Sequence, residues 1–258
     1  MEENKLFFLK INDITRFLLR SFSAVFNMIA CFIPFLCLLL GFSQFVLAAP
    51  DRLAPNFSVL PKGSTIVIMP TDIELFSISA GGVAEPRADW TEAALKHFKT
   101  ALLEKEKKEG LSPIELSNDD IDAFNEVNFL HAAVAQSIAI HHFGAPVFHL
   151  PTKEGKLDWS LGDSVLTIQQ KTGADYALFS WIRDSYTSSE RAVAMVALAL
   201  VGVGIGGGVQ TGYASLVDLK TGQVLWFNSL SRVRGDLRQA DKAKETVDAL
   251  LEKFPVAP

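Results

Sequence analysis

Cysteine is nearly missing from this sequence. Of 258 residues two are cysteines, Cys31 and Cys37, and both lie in an apolar stretch near the N-terminus. Everything after that stretch is thiol-free, which excludes a disulfide, a thiolate metal site and a cysteine nucleophile there. Charge is missing from Ser21 to Pro50, and positive charge is in deficit: 24 Lys and Arg stand against 29 Asp and Glu. Setting aside residues 1–48 moves the net charge from -5 to -6. A clustered basic surface that would release counterions from phosphates is therefore not expected, and nucleic acid is not an expected partner. The chain has no G-x-S-x-G elbow, no P-loop, no H-E-x-x-H and no S-x-x-K. The common nucleophilic and metallohydrolase signatures are thus absent.

What the N-terminus does contain is an export signal. Lys5, Lys10, Arg16 and Arg20 precede the uncharged run, which ends at Val46-Leu47-Ala48-Ala49-Pro50. A basic flank, an apolar core and small residues at the end match a secretory signal, with a cut after Ala48. The run of roughly 30 residues is also long enough to span a bilayer, so an uncleaved anchor through residues 21–47 stands beside the cleaved signal. Both place the remainder across the membrane, because the basic flank stays cytoplasmic. The expected organisation is a signal peptide or anchor at 1–48, a linker at 49–64 and one domain at 65–258. Asn56-Phe57-Ser58 also fits a glycosylation sequon, a match short enough to arise by chance.

Within that domain, Thr65 to Met69, a β-branched run closed by Pro70, reads as a buried strand, and Ile73 to Ile78 as a second. Ala88 to Glu109 has helical spacing, with Trp90, Ala94, Leu95, Phe98, Ala101 and Leu102 on one stripe. Ser117 with Asp120 predicts a capped helix running to about His142, and Ser160 with Asp163 another that stops at Gly173. Asp175 to Arg183 reads as a central strand apolar on both faces. Val209 to Asp218 and Gln223 to Val233 form a hairpin turned at Leu219-Lys220-Thr221-Gly222, and a last helix runs from Asp241 to Phe254. These elements predict an α/β (α+β) fold: a mixed sheet flanked by helices, with a C-terminal hairpin and helix.

Gly173-Ala174-Asp175-Tyr176 ahead of Val217-Asp218-Leu219-Lys220-Thr221-Gly222, with Trp226 beyond, resembles the C-terminal half of the CsgG and TolB amino-terminal-like envelope domains. The resemblance implies a bacterial envelope protein that works in an assembly, since domains of this kind serve secretion channels, lipoprotein scaffolds and activators of wall synthesis. The acylated cysteine of the secretion-channel members has no counterpart here, and their pore strands alternate in polarity as Ala192 to Val209 does not.

Several features invite a functional reading. Ala192 to Val209 has no polar side chain; it is either a small-residue element packed on the sheet or a self-association or membrane element. In the second case Gly202 with Gly206 and Gly204 with Gly208 supply small-xxx-small spacing. Gly202, Gly204 and Gly207 also spell G-x-G-x-x-G, but a strand-like run follows where a helix is required. The loop from Gly81 through Glu85, Arg87, Asp89 and Trp90 is a candidate contact site at a helix N-terminus. Arg183, Asp184 and Tyr186, at the end of the central strand, are a second. Lys171-Thr172-Gly173 and Lys220-Thr221-Gly222 read as a helix stop and a turn. His131, His141 and His142 share one helix without metalloprotease spacing, so no metal, cofactor or catalytic residue is assigned. The expected role is a non-catalytic protein exported to the periplasm or its membrane face, whose partners are other envelope proteins or further copies of itself. A periplasmic hydrolase with a dispersed carboxylate and histidine site and a signal-anchored binding domain are the alternatives.

Overall fold

The computed structural model describes residues 50–256, except Arg234 and the side chains of Asn118 and Asp119. The apolar segment at 21–47 and the cut after Ala48 lie outside the described residues, among which no helix is long and apolar enough to cross a membrane. In chain order the elements are β1 (Thr65–Ile68), β2 (Asp72–Ile78), β3 (Ala84–Pro86), α1 (Ala88–Lys108), β4 (Ser112–Glu115), α2 (Asn118–Ala123) and α3 (Asn125–His141). There follow α4 (Leu166–Thr172), β5 (Tyr176–Thr187), α5 (Ser189–Ala199), β6 (Gln210–Asp218), β7 (Val224–Arg232) and α6 (Ala240–Leu250).

The strands make one mixed sheet, as the sequence pattern predicts, but of seven strands where the pattern gives five. β1 and β2 lie end to end along one edge of β5, both parallel to it. They are one strand interrupted at Pro70, which has no N–H for the ladder. The interruption is bridged locally: the Met69 N–H donates to the Leu178 carbonyl at 3.0 Å, and the Ser180 hydroxyl to Thr71 Oγ1 at 2.9 Å. On the other edge of β5 the sheet continues antiparallel through β6 and β7. β4 flanks β1 in parallel and β3 flanks β2 antiparallel. Neither was visible in the sequence, being three and four residues long with a proline each.

Side chains alternate across β5 and fill two cores. Leu178 and Ile182 pack with Phe98 and Leu102 of α1 and Val247 and Leu250 of α6. Ala177 and Phe179 pack on the opposite face with Val127 and Ile138 of α3 and Ile168 of α4. Several boundaries differ from the sequence reading: β5 runs on to Thr187, and the last helix ends at Leu250 and not at Phe254. Residues 52–60 are no free linker: the Ala54 N–H donates to the Leu225 carbonyl at 2.9 Å, the Phe227 N–H to that of Arg52 at 3.0 Å, and Ala54 and Leu60 are buried. The segment covers part of the outer edge of β7. The helix expected from Ser117 to His142 breaks at buried Phe124 (φ -106°, ψ 8°) into α2 and α3, although its capping box forms as expected. Ser160 Oγ accepts from the Gly162 N–H at 2.9 Å instead of capping, and a 3-10 turn (Gly162–Val165) precedes α4.

The residues that carry the family resemblance hold this frame together. Gly173 closes α4 at φ 69°. The Asp175 carboxylate accepts from the Thr65 hydroxyl at 2.9 Å, fastening β5 to the start of β1. Asp218 Oδ1 accepts from the Lys220 and Thr221 N–H groups, shaping the β6–β7 turn. At Gly222 (φ 72°) a Cβ would stand 2.2 Å from the Gly162 carbonyl oxygen, so no other residue fits.

One buried group is out of keeping with its surroundings. Glu106, near the end of α1, is fully buried and neither carboxylate oxygen has a partner. Burial, reinforced by the neighbouring Glu109, raises its pKa from 4.5 to about 8. The folded state thus holds a proton that the unfolded chain releases near 4.5, and stability falls as pH rises from there to about 8. Replacing Glu106 by Gln removes this dependence. Relative to its difference from the parent at pH 4.5, Glu106→Gln should gain about 4 kcal/mol at pH 8.5, measured by urea unfolding at the two pH values.

Candidate functional site

The 22 residues between β5 and β6 leave the sheet and return to it. Ser188 starts the excursion as the cap of α5, its Oγ accepting from the Arg191 N–H at 3.2 Å, while its own N–H donates to the Ile78 carbonyl at 3.0 Å. Ser185 and Val209 close the base through three hydrogen bonds of 2.9 to 3.1 Å. Arg191 Nη2 donates to the Gly206 carbonyl at 2.8 Å and Nη1 reaches the Ser79 carbonyl at 3.5 Å, tying the returning loop and the β2–β3 turn to the helix. Arg191 was not singled out from the sequence; its only signal there is that it is the last charge before an uncharged run.

Beyond this polar base the excursion is apolar on every side, and none of its residues from Ala192 to Val209 is buried among the described residues. No residue of α5 is buried. Val193, Leu200 and Val201 are 71%, 84% and 73% exposed, and Val196 and Val203 are exposed too. The packed-element reading of Ala192 to Val209 is therefore overturned. Helix α5 stops at Ala199 and Gly202 takes φ 80°, so the small-xxx-small spacing falls on an irregular loop and makes no helical face. A Cβ at Gly202 or Gly204 would meet nothing, Gly206 serves through its carbonyl, and at Gly208 a Cβ would stand 1.7 Å from the Ser185 carbonyl oxygen. Gly208 is thus needed for the closure of the base.

The two predicted contact clusters meet beside this base. Trp90 and Tyr186 are in edge contact at 5.7 Å, and the Arg238 guanidinium lies over both rings, at 4.6 and 3.9 Å. Arg87 lies over Trp90 at 4.2 Å and grips Asp89 with Nη2–Oδ2 at 2.7 Å and Nε–Oδ1 at 3.0 Å. That hydrogen bond lowers the Asp89 pKa and leaves the Arg87 cation paired at the helix N-terminus. Glu85 sits exposed in β3, opposite Ser77.

The β5 cluster divides by strand alternation. Arg183 faces the opposite side of the sheet, where it pairs with Asp72 at 2.7 Å and lies over Trp181 at 4.7 Å. Asp184 is 2% exposed and accepts from Gln210 Nε2 at 2.7 Å and from the Tyr186 hydroxyl. Burial raises the Asp184 pKa, and burial with the Asp184 charge raises that of Tyr186. The Tyr186 oxygen accepts from the Leu237 N–H at 2.8 Å, and Gln210 Oε1 accepts from Arg232 Nε at 2.8 Å.

The histidines disperse. His131 is buried at 2.5 Å from Ser215 Oγ and stacked on Phe179, and burial lowers its pKa to about 3, so it is neutral at physiological pH. His141 and His142 bond through Nδ1 and Nε2 to the carbonyls of Phe148 and Asp51, at 2.8 and 2.7 Å. Among the described residues no three His, Cys, Asp or Glu side chains are grouped to hold a metal ion.

No family model and no curated protein matches the chain. Among solved structures, the PelC dodecamer of Paraburkholderia phytofirmans is similar at 12% identity and a TM-score of 0.34, over 78% of this chain and 93% of that one. Lipoprotein GNA1162 of Neisseria meningitidis is 19% identical with a TM-score of 0.29, over 65% and 81%. The C-terminal domain of LpoB from Escherichia coli is 12% identical with a TM-score of 0.29, over 70% and 88%.

Two substitutions test the base. Tyr186→Phe leaves the buried Asp184 carboxylate short of a donor and the Leu237 N–H without its acceptor, and should lower unfolding free energy by about 2 kcal/mol. Gly208→Ala forces Val209 away from Ser185; faster exchange of the Ser185 and Val209 amides, with the β6–β7 amides unchanged, is the expected hydrogen-exchange signature.

Proposed function

We propose that this is an exported envelope protein that acts without catalysis, through protein–protein contact or oligomeric assembly at the periplasmic face of the membrane, with the apolar excursion as its contact surface. The observation that carries the proposal is the exposure of Ala192 to Val209. Of eighteen consecutive residues without a polar side chain, thirteen are exposed and Ala194, Met195, Leu198, Ile205 and Gly208 are half-buried, on a base fixed by Arg191, Ser185 and Ser188. Contiguous apolar surface of this kind marks an interaction site, since each Å² left in water forgoes about 25 cal/mol. Exposed Val83, beside the Ser79 turn, and Val233, which shares a small cleft with Val209, extend it.

The dispersed-site hydrolase has less in its favour, since His141 and His142 are spent on separate backbone carbonyls and His131 is a neutral core side chain. Export rests on the basic flank and apolar run of residues 1–48, and these serve equally for a cleaved signal or an anchor. Affiliation with the CsgG and TolB amino-terminal-like domains rests on the motif from Gly173 to Trp226. Its residues lie where the fold needs them, at the α4 stop and the β6–β7 turn.

Val196→Glu combined with Leu200→Glu places two charges on the excursion and removes no buried contact. Chemical cross-linking of the full-length protein in isolated envelopes should show its higher-mass species reduced at least tenfold in this variant, with the unfolding free energy of the protein unchanged within about 0.5 kcal/mol. Identical cross-linking patterns for parent and variant would remove the excursion from the contact surface.

A further inference from the structure

β1 and β4 run parallel with Ile68 beside Glu115, and their chains then part: β1 turns at Pro70 into β2, and β4 turns through Leu116 into α2. Diverging exits from adjacent parallel strands open a crevice at their carboxyl ends. Here the crevice is a cavity of about 420 Å³, within the range of small-molecule sites. Its apolar walls are Ile68, Met69, Leu95, Leu102, Leu116 and Ile121. Its charged groups are Lys96, Lys99 and Glu115. Lys99 pairs with Glu115 at 2.8 Å, and among the described residues Lys96 is in no ion pair. An apolar recess with one uncompensated cation among its exposed lining residues complements a molecule with an apolar body and one negative end.

We propose that this cavity binds a single-chain anionic amphiphile, with the acyl chain between α1 and α2 and the head group on Lys96. The inference is independent of the assembly reading, since the cavity and the excursion share no residue. The chain supplies affinity by burial, about fourfold for each methylene covered. The lysine selects for the anion. A fatty-acid carboxylate and a lysophospholipid phosphate share this chemistry.

The test is photolabelling of the full-length protein with a diazirine-bearing dodecanoic acid, the corresponding dodecanol and a lysophospholipid with the same chain, adducts being mapped by mass spectrometry. Carboxylate or phosphate adducts are expected within residues 95–102 and 115–121, and the ratio of the two identifies the head group. Leu95→Trp and Ile121→Trp, which fill the cavity from opposite walls at side chains that are not buried, should each cut these adducts about tenfold. Lys96→Glu should cut labelling by the anionic probes at least fivefold and leave dodecanol labelling unchanged. Thermal melts monitored by circular dichroism establish that each variant is folded. Adducts confined to residues 21–47, equal labelling in both cavity-filling variants, or dodecanol labelling as strong as dodecanoate in the parent would overturn the proposal.

Discussion

Strand β5 pairs with three others, and that shared ladder is what the rest of the structure depends on. Its twelve residues meet β1 and then β2 along one edge and β6 along the other, so the break at Pro70 does not divide the sheet. A chain whose first strand is interrupted needs a longer neighbour to hold the two halves in register, and only a strand apolar on both faces can lie between two helical layers. Asp175 anchors the start of this strand on Thr65, and Asp184 near its end is enclosed by Tyr186 and Gln210. The first contact fixes where the ladder begins. The second places a carboxylate beside the point where the chain leaves the sheet.

Much of this was legible in the sequence because local signals and tertiary placement agree. The β-branched run before Pro70, the Ser117–Asp120 capping box, Gly173 as a helix stop and the Asp218 to Gly222 turn each have one sufficient physical cause near at hand in the chain. β3 and β4 escaped because three or four residues carry too little periodicity to register. The division at Phe124 escaped because a buried ring there satisfies the helical pattern on both sides while the backbone turns. Residues 52–60 resembled a linker because their partners, Leu225, Phe227 and Pro255, are some 170 to 200 positions away.

The candidate site was legible in part. Trp90 and Tyr186, picked out separately, touch, whereas Arg183 and Asp184, picked out together, lie on opposite faces as strand alternation requires. The apolar run at Ala192 was conspicuous in the sequence, but burial and exposure of such a run give the same pattern of letters. What decides between them is the supply of covering elements: both faces of the sheet are already occupied by α1, α6, α3 and α4, which leaves no helix or strand among the described residues to cover α5. Arg191, the group that holds the excursion in place, is marked in the sequence only by standing last before the uncharged run.

The closure at Ser185 and Val209 has a consequence for variation. Because β5 and β6 are already joined below the excursion, its length enters the energetics chiefly as loop entropy, which grows by only about 0.6 kcal/mol per doubling. The interior is thus insulated from whatever sequence is carried above that clasp. A longer, shorter or recomposed segment could stand there while the chain folds around an unaltered scaffold.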